Sequence, residues 1–367
     1  MVSGLGSESG RVPTPAHHGE SVTAEVNSTC PDCSFDRLEA IPRRDFLRTV
    51  GVATAAVSLG GVARAADAPA VKKTEKPAEV LVKELFSGLS DEQKKSVMMP
   101  WNHGVNAAGK GIPTRLRMFN GPIAKKISEV YTPAQTELVE RILKSLSSGD
   151  EGFRMISRGG TWDASKTFNA CGAYIFGEPT EGKPYAWVFT GHHLTVRCDG
   201  NTTEGPAFGG PIYYGHTPNG YQDKNVFFPQ TKAVMSVFDA LSTEQQKKAT
   251  VSGTPGEHEA SIEFRKMGDP IPGIAIGDLT KDQRALVEQV MRAVLAPYRK
   301  EDTDEVMEII KATGGMEKIH LAFYREEGAD ASAKWHFWRL EGPGFVWNFR
   351  VLPHVHTYVS ISTKQII

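Results

Sequence analysis

The chain predicts an α+β fold, in which a mixed or antiparallel sheet joins mid-chain and C-terminal strands and is flanked by capped amphipathic helices. Three observations carry this. Segments rich in Val, Ile, Tyr, Phe and Trp, interrupted by Gly or Pro, fall in two blocks, 172–179 with 184–198, and 318–325 with 334–340, 343–350 and 354–360. Helix-opening signals precede and separate these blocks. No Gly-rich phosphate loop follows a strand, so a nucleotide-binding parallel sheet has no support.

Taken in chain order, the first element is a targeting signal. Pro42-Arg43-Arg44-Asp45-Phe46-Leu47-Arg48 holds paired arginines, Thr49 to Ala63 carries no charge, and Ala63-Arg64-Ala65 is a small-x-small exit that a signal peptidase could cut. The apolar run falls short of the roughly 20 residues of a membrane-spanning helix, and the arginine pair points to twin-arginine export. Residues 1–65 are therefore expected to be a leader, with the export machinery as a partner and a periplasmic or secreted destination. That route carries folded passengers, often with a cofactor already inserted. Residues 66–77, mostly Ala, Lys, Glu and Pro, read as a flexible tether, and 78–367 as a single α+β domain.

Charge and cysteine usage narrow the function. Lys and Arg total 42 against 43 Asp and Glu, which leaves no basic track for a phosphate backbone, so nucleic acid is not an expected partner. No later stretch is long and apolar enough to make a stable membrane span. Cys30 and Cys33 form a C-x-x-C pair that leader cleavage would remove. Cys171 and Cys198 remain, either as one disulfide or as two buried thiols.

Four helices are expected after a shared opening, Ser or Thr three residues before Gln: Ser90 with Gln93, Thr132 with Gln135, Ser242 with Gln245, and Thr280 with Gln283. Leu138, Ile142 and Leu146 after the second, and Leu286, Val290 and Val294 after the fourth, repeat every four residues and give buried stripes. The repetition reads as helix physics rather than duplication. Residues 208–214 read as an aromatic turn region.

Four histidines stand in strand-like sequence. His354 and His356, spaced by two, face the same way on a strand and could grip one ion while Val355 packs behind them. His192 and His193 are adjacent, so on a regular strand only one joins such a site unless Gly191 marks a bulge. Imidazole suits Zn, Cu, Fe and Ni, and three histidines would leave a coordination position open for chemistry. A hydrogen-bonded network or an organic ligand site are the alternatives. Arg339 shares a strand face with Trp335 and Phe337, where a guanidinium can stack and still bind an anion, or instead serve as a buried structural ion-pair partner. His336 has the opposite strand phase. His103 and His216 are weaker, loop-borne candidates, and Arg158, before Gly159-Gly160-Thr161-Trp162-Asp163, could help bind an acidic ligand.

Several marks in order resemble a bacterial family known as domain of unknown function 3500. They are Phe176-Gly177-Glu178-Pro179, Trp187 through Gly191-His192-His193-Leu194, Pro211-Ile212-Tyr213-Tyr214-Gly215-His216-Thr217-Pro218, Arg339-Leu340-Glu341-Gly342-Pro343 and His354-Val355-His356. The resemblance covers nearly all of the chain after the leader. It implies that the two histidine marks belong to one site. An acidic residue is common in that family shortly after the Gly-Pro, where this chain has Asn348, so a carboxylate ligand or base would be absent there.

The expectation is an exported enzyme with one transition metal ion (Cu, Fe or Zn), acting on a small molecule, with redox chemistry slightly ahead of hydrolysis. His192 or His193 with His354 and His356 would be the ligands, and Arg339 would position substrate. Gly-x-Ser-x-Gly and the haem-type C-x-x-C-H are both missing. The rival is a non-catalytic periplasmic binding protein for a small anionic ligand.

Overall fold

The computed structural model describes residues 76–200, 202–257, 262–265, 269–325 and 335–364. The predicted leader, nearly all of the tether, Cys30 and Cys33 lie outside the described residues. Each Ser/Thr-x-x-Gln signal does start a helix. In all four, the Gln backbone N–H donates to the cap hydroxyl at 3.3 Å and the Gln side chain accepts from the cap N–H at 2.9 Å. Two orphan donors are thus satisfied at each helix start.

The first half of the chain runs α1 (Pro77–Ser87), α2 (Asp91–Val97), β1 (Met98–Met99), α3 (Ile127–Val130), α4 (Pro133–Leu146), α5 (Gly149–Ile156) and strands β2 (Gly172–Gly177), β3 (Tyr185–Gly191), β4 (Leu194–Cys198) and β5 (Ile212–His216). The second runs α6 (Phe228–Ala240), α7 (Thr243–Ala249), β6 (Thr250–Ser252), β7 (Ile274–Ala275), α8 (Lys281–Leu295), α9 (Lys300–Ala312) and strands β8 (His320–Arg325), β9 (Phe337–Gly342), β10 (Phe345–Arg350) and β11 (Val355–Ile361). The described strands form one mixed sheet in the order β1-β2-β3-β4-β5-β11-β10-β9-β8-β6, with β7 beside β8. Mid-chain and C-terminal strands meet where β5 pairs antiparallel with β11. Among the described residues no helix is long and apolar enough to cross a membrane.

That order reads the same from either edge, and the repetition of helix starts has to be corrected accordingly. Each half opens with a short strand parallel to its first long strand, β1 on β2 and β6 on β8, followed by antiparallel neighbours. The polar contacts repeat as well. Gln135 Nε2 donates to the Gly88 carbonyl at 2.7 Å and Gln93 Nε2 to Gln135 Oε1 at 2.6 Å. In the second half Gln283 donates to the Ala240 carbonyl at 2.8 Å and Gln245 to Gln283 at 3.1 Å. Trp187 and Gly191 on β3 match Trp338 and Gly342 on β9 in the same register against the next strand. Helix capping alone does not require these tertiary details to recur, so the halves are an internal structural repeat.

Alternation separates the two faces of the sheet. Leu194, Val196, Ile212, Val355, Val359, Trp347, Phe349, Trp338 and Leu340 belong to one hydrophobic core. Helices α6 and α8 lie on this side: Phe238 packs edge-on against Phe323 at 4.8 Å, and Tyr214 bonds Gln230. The other face carries Thr195, Arg197, Tyr213, His356, Tyr358, Arg350, Asn348, Arg339 and Glu341, all buried. Two stretches of loop satisfy part of it. Phe119 N–H donates to Thr195 at 2.8 Å, Arg197 Nε donates to the Arg115 carbonyl at 2.7 Å, and Arg265 pairs with Glu341 at 2.7 Å.

The predicted strand over 184–198 is two strands, because Gly191 pairs with Leu194 and leaves His192-His193 as a two-residue turn. The aromatic stretch at 208–214 is a short 3-10 turn followed by β5. Cys171 and Cys198 are both free and buried, and burial pushes their thiols up to about 11 and about 12. Because the thiolate is the reactive form, both are expected to resist iodoacetamide at pH 8 in the folded protein and to react after denaturation, as read by peptide mass mapping.

Candidate metal centre

The centre forms where the β3–β4 turn meets the start of β11. His193 takes φ +50°, and the matching turn between β9 and β10 has Gly344 at φ +69°. A residue with a Cβ therefore occupies a position its counterpart fills with glycine, a backbone arrangement that costs on the order of 1 kcal/mol. The surroundings hold it there. The His193 N–H donates to Asn120 Oδ1 at 2.6 Å, the His193 carbonyl accepts from Gly215 N–H at 2.9 Å, and the His192 N–H donates to Ser165 Oγ at 2.8 Å. Arg158, itself buried, donates to the carbonyls of Ile156, His192 and His193. It clamps the turn from behind, which is not the acidic-ligand role weighed for it from the sequence.

A tight turn projects both imidazoles to the same side, with ring centroids 3.8 Å apart. The expected opposition of His192 and His193 is therefore corrected, and no bulge is needed. His193 comes within 4.9 Å of the His354 ring and 4.5 Å of the His356 ring, centroid to centroid. One ring nitrogen each from His193, His354 and His356 lies within 4.8 Å of the others, and all three residues are buried. Asp163, His192 and His193 form a second such group that shares His193.

Each of the three converging imidazoles is oriented by an oxygen at Nδ1. Asp163 Oδ2 holds His193 at 2.8 Å, Asn219 Oδ1 holds His354 at 3.1 Å, and Glu257 Oε1 holds His356 at 3.0 Å. A proton at Nδ1 bonded to such an oxygen leaves Nε2 as the electron-pair donor, which is how outer residues prepare histidines for a metal. The Nε2 atoms of His354 and His356 face each other at 3.0 Å. Two lone pairs that close need a cation or a donor between them. Arg350 supplies one: its Nη2 stands 2.9 Å from His356 Nε2 and 3.4 Å from His354 Nε2, while Nη1 pairs with Glu257 at 2.6 Å.

The electrostatics favour neutral imidazoles. Burial lowers the His193 ring well below its ordinary value despite Asp163, and burial with the Arg350 charge does the same for His356. Burial opposes ionisation of Asp163, but the hydrogen bond to His193 and the Arg158 guanidinium hold its carboxyl far below the usual carboxylate range. Asp163 is fixed further by the Thr217 N–H at 3.1 Å and by the Thr217 hydroxyl. Burial pushes Glu257 up to about 7 against the opposing charge of Arg350. His192 Nδ1 stands 3.6 Å from Asp163 Oδ1, an ion-pair separation too long for a hydrogen bond. Neither His192 ring nitrogen has a hydrogen-bond partner, although the ring is buried.

Arg339 is engaged by Glu341 at 3.1 Å, two strands from His356, and the arginine that reaches the imidazoles is Arg350. His103 bonds Thr114 at 2.8 Å, and His216 Nδ1 accepts from the Val226 N–H at 3.1 Å, so both are tied into local structure. His336 precedes β9 and links backbone of Tyr324 and Val351. Asn348 is fully buried, in register with Arg339 and Tyr358. Asp163, Asn219, Glu257 and Arg350 were not expected from the sequence. The β9–β10 turn offered a signal for the β3–β4 turn: Pro343-Gly344 after Trp338-x-x-x-Gly342 is turn chemistry, and His192-His193 follows Trp187-x-x-x-Gly191 at the same spacing.

Close approach makes Gly215 necessary. A Cβ there would stand 2.4 Å from the Val355 carbonyl oxygen, 3.1 Å from the His356 ring and 3.2 Å from His193 Cβ. Gly215→Ala is expected to cost about 1–3 kcal/mol through overpacking, read as a lowered urea midpoint, and to weaken metal uptake with it.

The fold and site thus define a class: an α+β protein of repeated halves with a buried, oxygen-oriented cluster of histidines that could hold a metal ion. The chain belongs to the family described as Protein of unknown function (DUF3500), whose model matches residues 72–363. No curated protein and no solved structure matches it.

Proposed function

We propose that this protein is an exported, metal-dependent enzyme acting on a small molecule, with one transition metal ion held by His193, His354 and His356. The observation that carries this reading is the oxygen contact at Nδ1 of all three converging imidazoles, two of them from carboxylates. A purely structural histidine network has no need to aim three electron pairs at one point. His192, whose ring is buried beside His193 with neither nitrogen hydrogen-bonded, would move a proton or complete the coordination. The substrate-positioning role expected of Arg339 passes to Arg350.

Redox chemistry stands slightly ahead of hydrolysis in this reading, because the neutral, buried imidazoles of His193 and His356 would suit Cu and Fe as readily as Zn. The expected twin-arginine export would agree with a metal inserted before secretion, since that route carries folded passengers, often with a cofactor in place.

One observation favours the rival reading, a periplasmic binding protein for a small anion. Arg350 already supplies a cation to both Nε2 atoms, and a buried guanidinium can bind an acid without any metal. Elemental analysis of protein purified from the exported fraction separates the two. The enzyme reading expects about one equivalent of Cu, Fe or Zn per chain, one position being open to substrate. Metal-free protein that retains a small acid would establish the binder instead.

A further inference from the structure

We infer that the ligand of this centre is a small carboxylate, held with one oxygen on the metal ion and the other on Arg350; the inference rests on the metal reading above. Arg350 lies opposite His356 on the neighbouring strand, and the two are paired in register. Its guanidinium is nearly buried and held at three points. Nη1 pairs with Glu257 at 2.6 Å, Nε donates to the His354 carbonyl at 3.3 Å, and Nη2 donates to the electron pairs of His356 and His354 at 2.9 and 3.4 Å.

An ion bound at about 2.0–2.1 Å from those nitrogens takes the electron pairs that Nη2 now uses. The Nη2 protons would then face a dication in a water-poor site, with their acceptors gone. Glu257 and the His354 carbonyl hold the rest of the guanidinium in place, so it cannot swing out to solvent without breaking both contacts. An anionic oxygen between ion and guanidinium removes the repulsion and restores the lost hydrogen bonds.

A carboxylate fits these two points of attachment with its two coplanar oxygens. A phosphate would bring further charged oxygens against the imidazole rings and the Glu257 carboxylate. Of the groups that hold the cluster, Asn219, which bonds His354, is exposed, and the Glu257 side chain, which bonds His356 and Arg350, is 19 % exposed.

The test uses the full chain loaded with Co(II), whose visible bands report changes at the ion. Wild type, Arg350→Lys and Arg350→Met are compared for cobalt content, circular dichroism and titration with acetate, with inorganic phosphate as the competing class. The expected result is about one cobalt in each protein, with acetate shifting the wild-type bands and binding about tenfold or more weaker in Arg350→Met. Arg350→Lys, which keeps the charge without the fork, falls between and keeps the test valid if the Met variant misfolds. Equal acetate affinity in all three proteins overturns this inference alone, as does a stronger response to phosphate than to acetate. A wild type that takes up no cobalt overturns the metal reading beneath it.

Discussion

The His354→Ala/His356→Ala double variant is expected to lose transition-metal binding while remaining folded. His356 on β11 and His354 just before that strand bring their rings together on one side, Nε2 to Nε2 at 3.0 Å, whereas Val355 between them belongs to the hydrophobic core. Removing the rings leaves Val355 and the ladder between β5 and β11 in place. The size of the effect follows from the affinity of comparable sites. A four-ligand site worth about 10–16 kcal/mol averages roughly 3 kcal/mol per ligand. Two lost ligands then cost about 6 kcal/mol, or about four orders of magnitude in affinity. Equilibrium dialysis against a buffered metal, with circular dichroism on the same samples, measures both halves of the expectation.

Asp163→Ala has the second-largest expected effect, and it acts on stability as well as on the centre. Its carboxylate bonds His193 Nδ1 and Thr217 and offsets the buried Arg158 charge. Taking away one partner of a buried charge cluster costs about 3 kcal/mol, and losing the group that orients a ligand costs about 10–100-fold in metal affinity. The pH dependence has a definite sign. The folded carboxyl is held far below its unfolded value of about 3.9. Its contribution is therefore present in full above the unfolded value and is lost only as pH falls through the folded one. The stability gap between wild type and Asp163→Ala should stay constant from about pH 5 to 8 and close under strong acid. Urea melts at a series of pH values give the curve.

What the sequence made legible, and what it hid, divides along a physical line. Helix starts were readable because a capping box is a local device: Ser90, Thr132, Ser242 and Thr280 find their partner Gln within one turn. The His354-x-His356 pair was readable because strand alternation is also local. The β3–β4 turn was misread as strand. His193 adopts a left-handed conformation that sequence preference assigns to Gly or Asn, and tertiary contacts from Asn120, Gly215 and Arg158 override that preference. The orienting groups were hidden because they come from loops remote in sequence; Asp163 precedes His193 by 30 residues and Glu257 precedes His356 by 99.

Arg339 has the aromatic neighbours in sequence, yet only the pairing of β10 with β11 shows that Arg350 stands beside His356. The repeat is hidden in the sequence for a related reason. Four similar helix starts prove nothing alone, and the symmetry appears only when the strand order is known. It also explains why the histidine turn has no twin: the matching turn is Pro343-Gly344, which offers no ligand atom on a side chain.

The most direct test of the central claim is X-ray absorption spectroscopy at the metal edge of protein purified with its native metal or reconstituted with copper. The account expects about three imidazole nitrogens at about 2.0 Å, with the outer-shell scattering typical of histidine rings. A spectrum showing no more than one imidazole, or metal bound only through surface oxygens, would mean that His193, His354 and His356 do not share an ion.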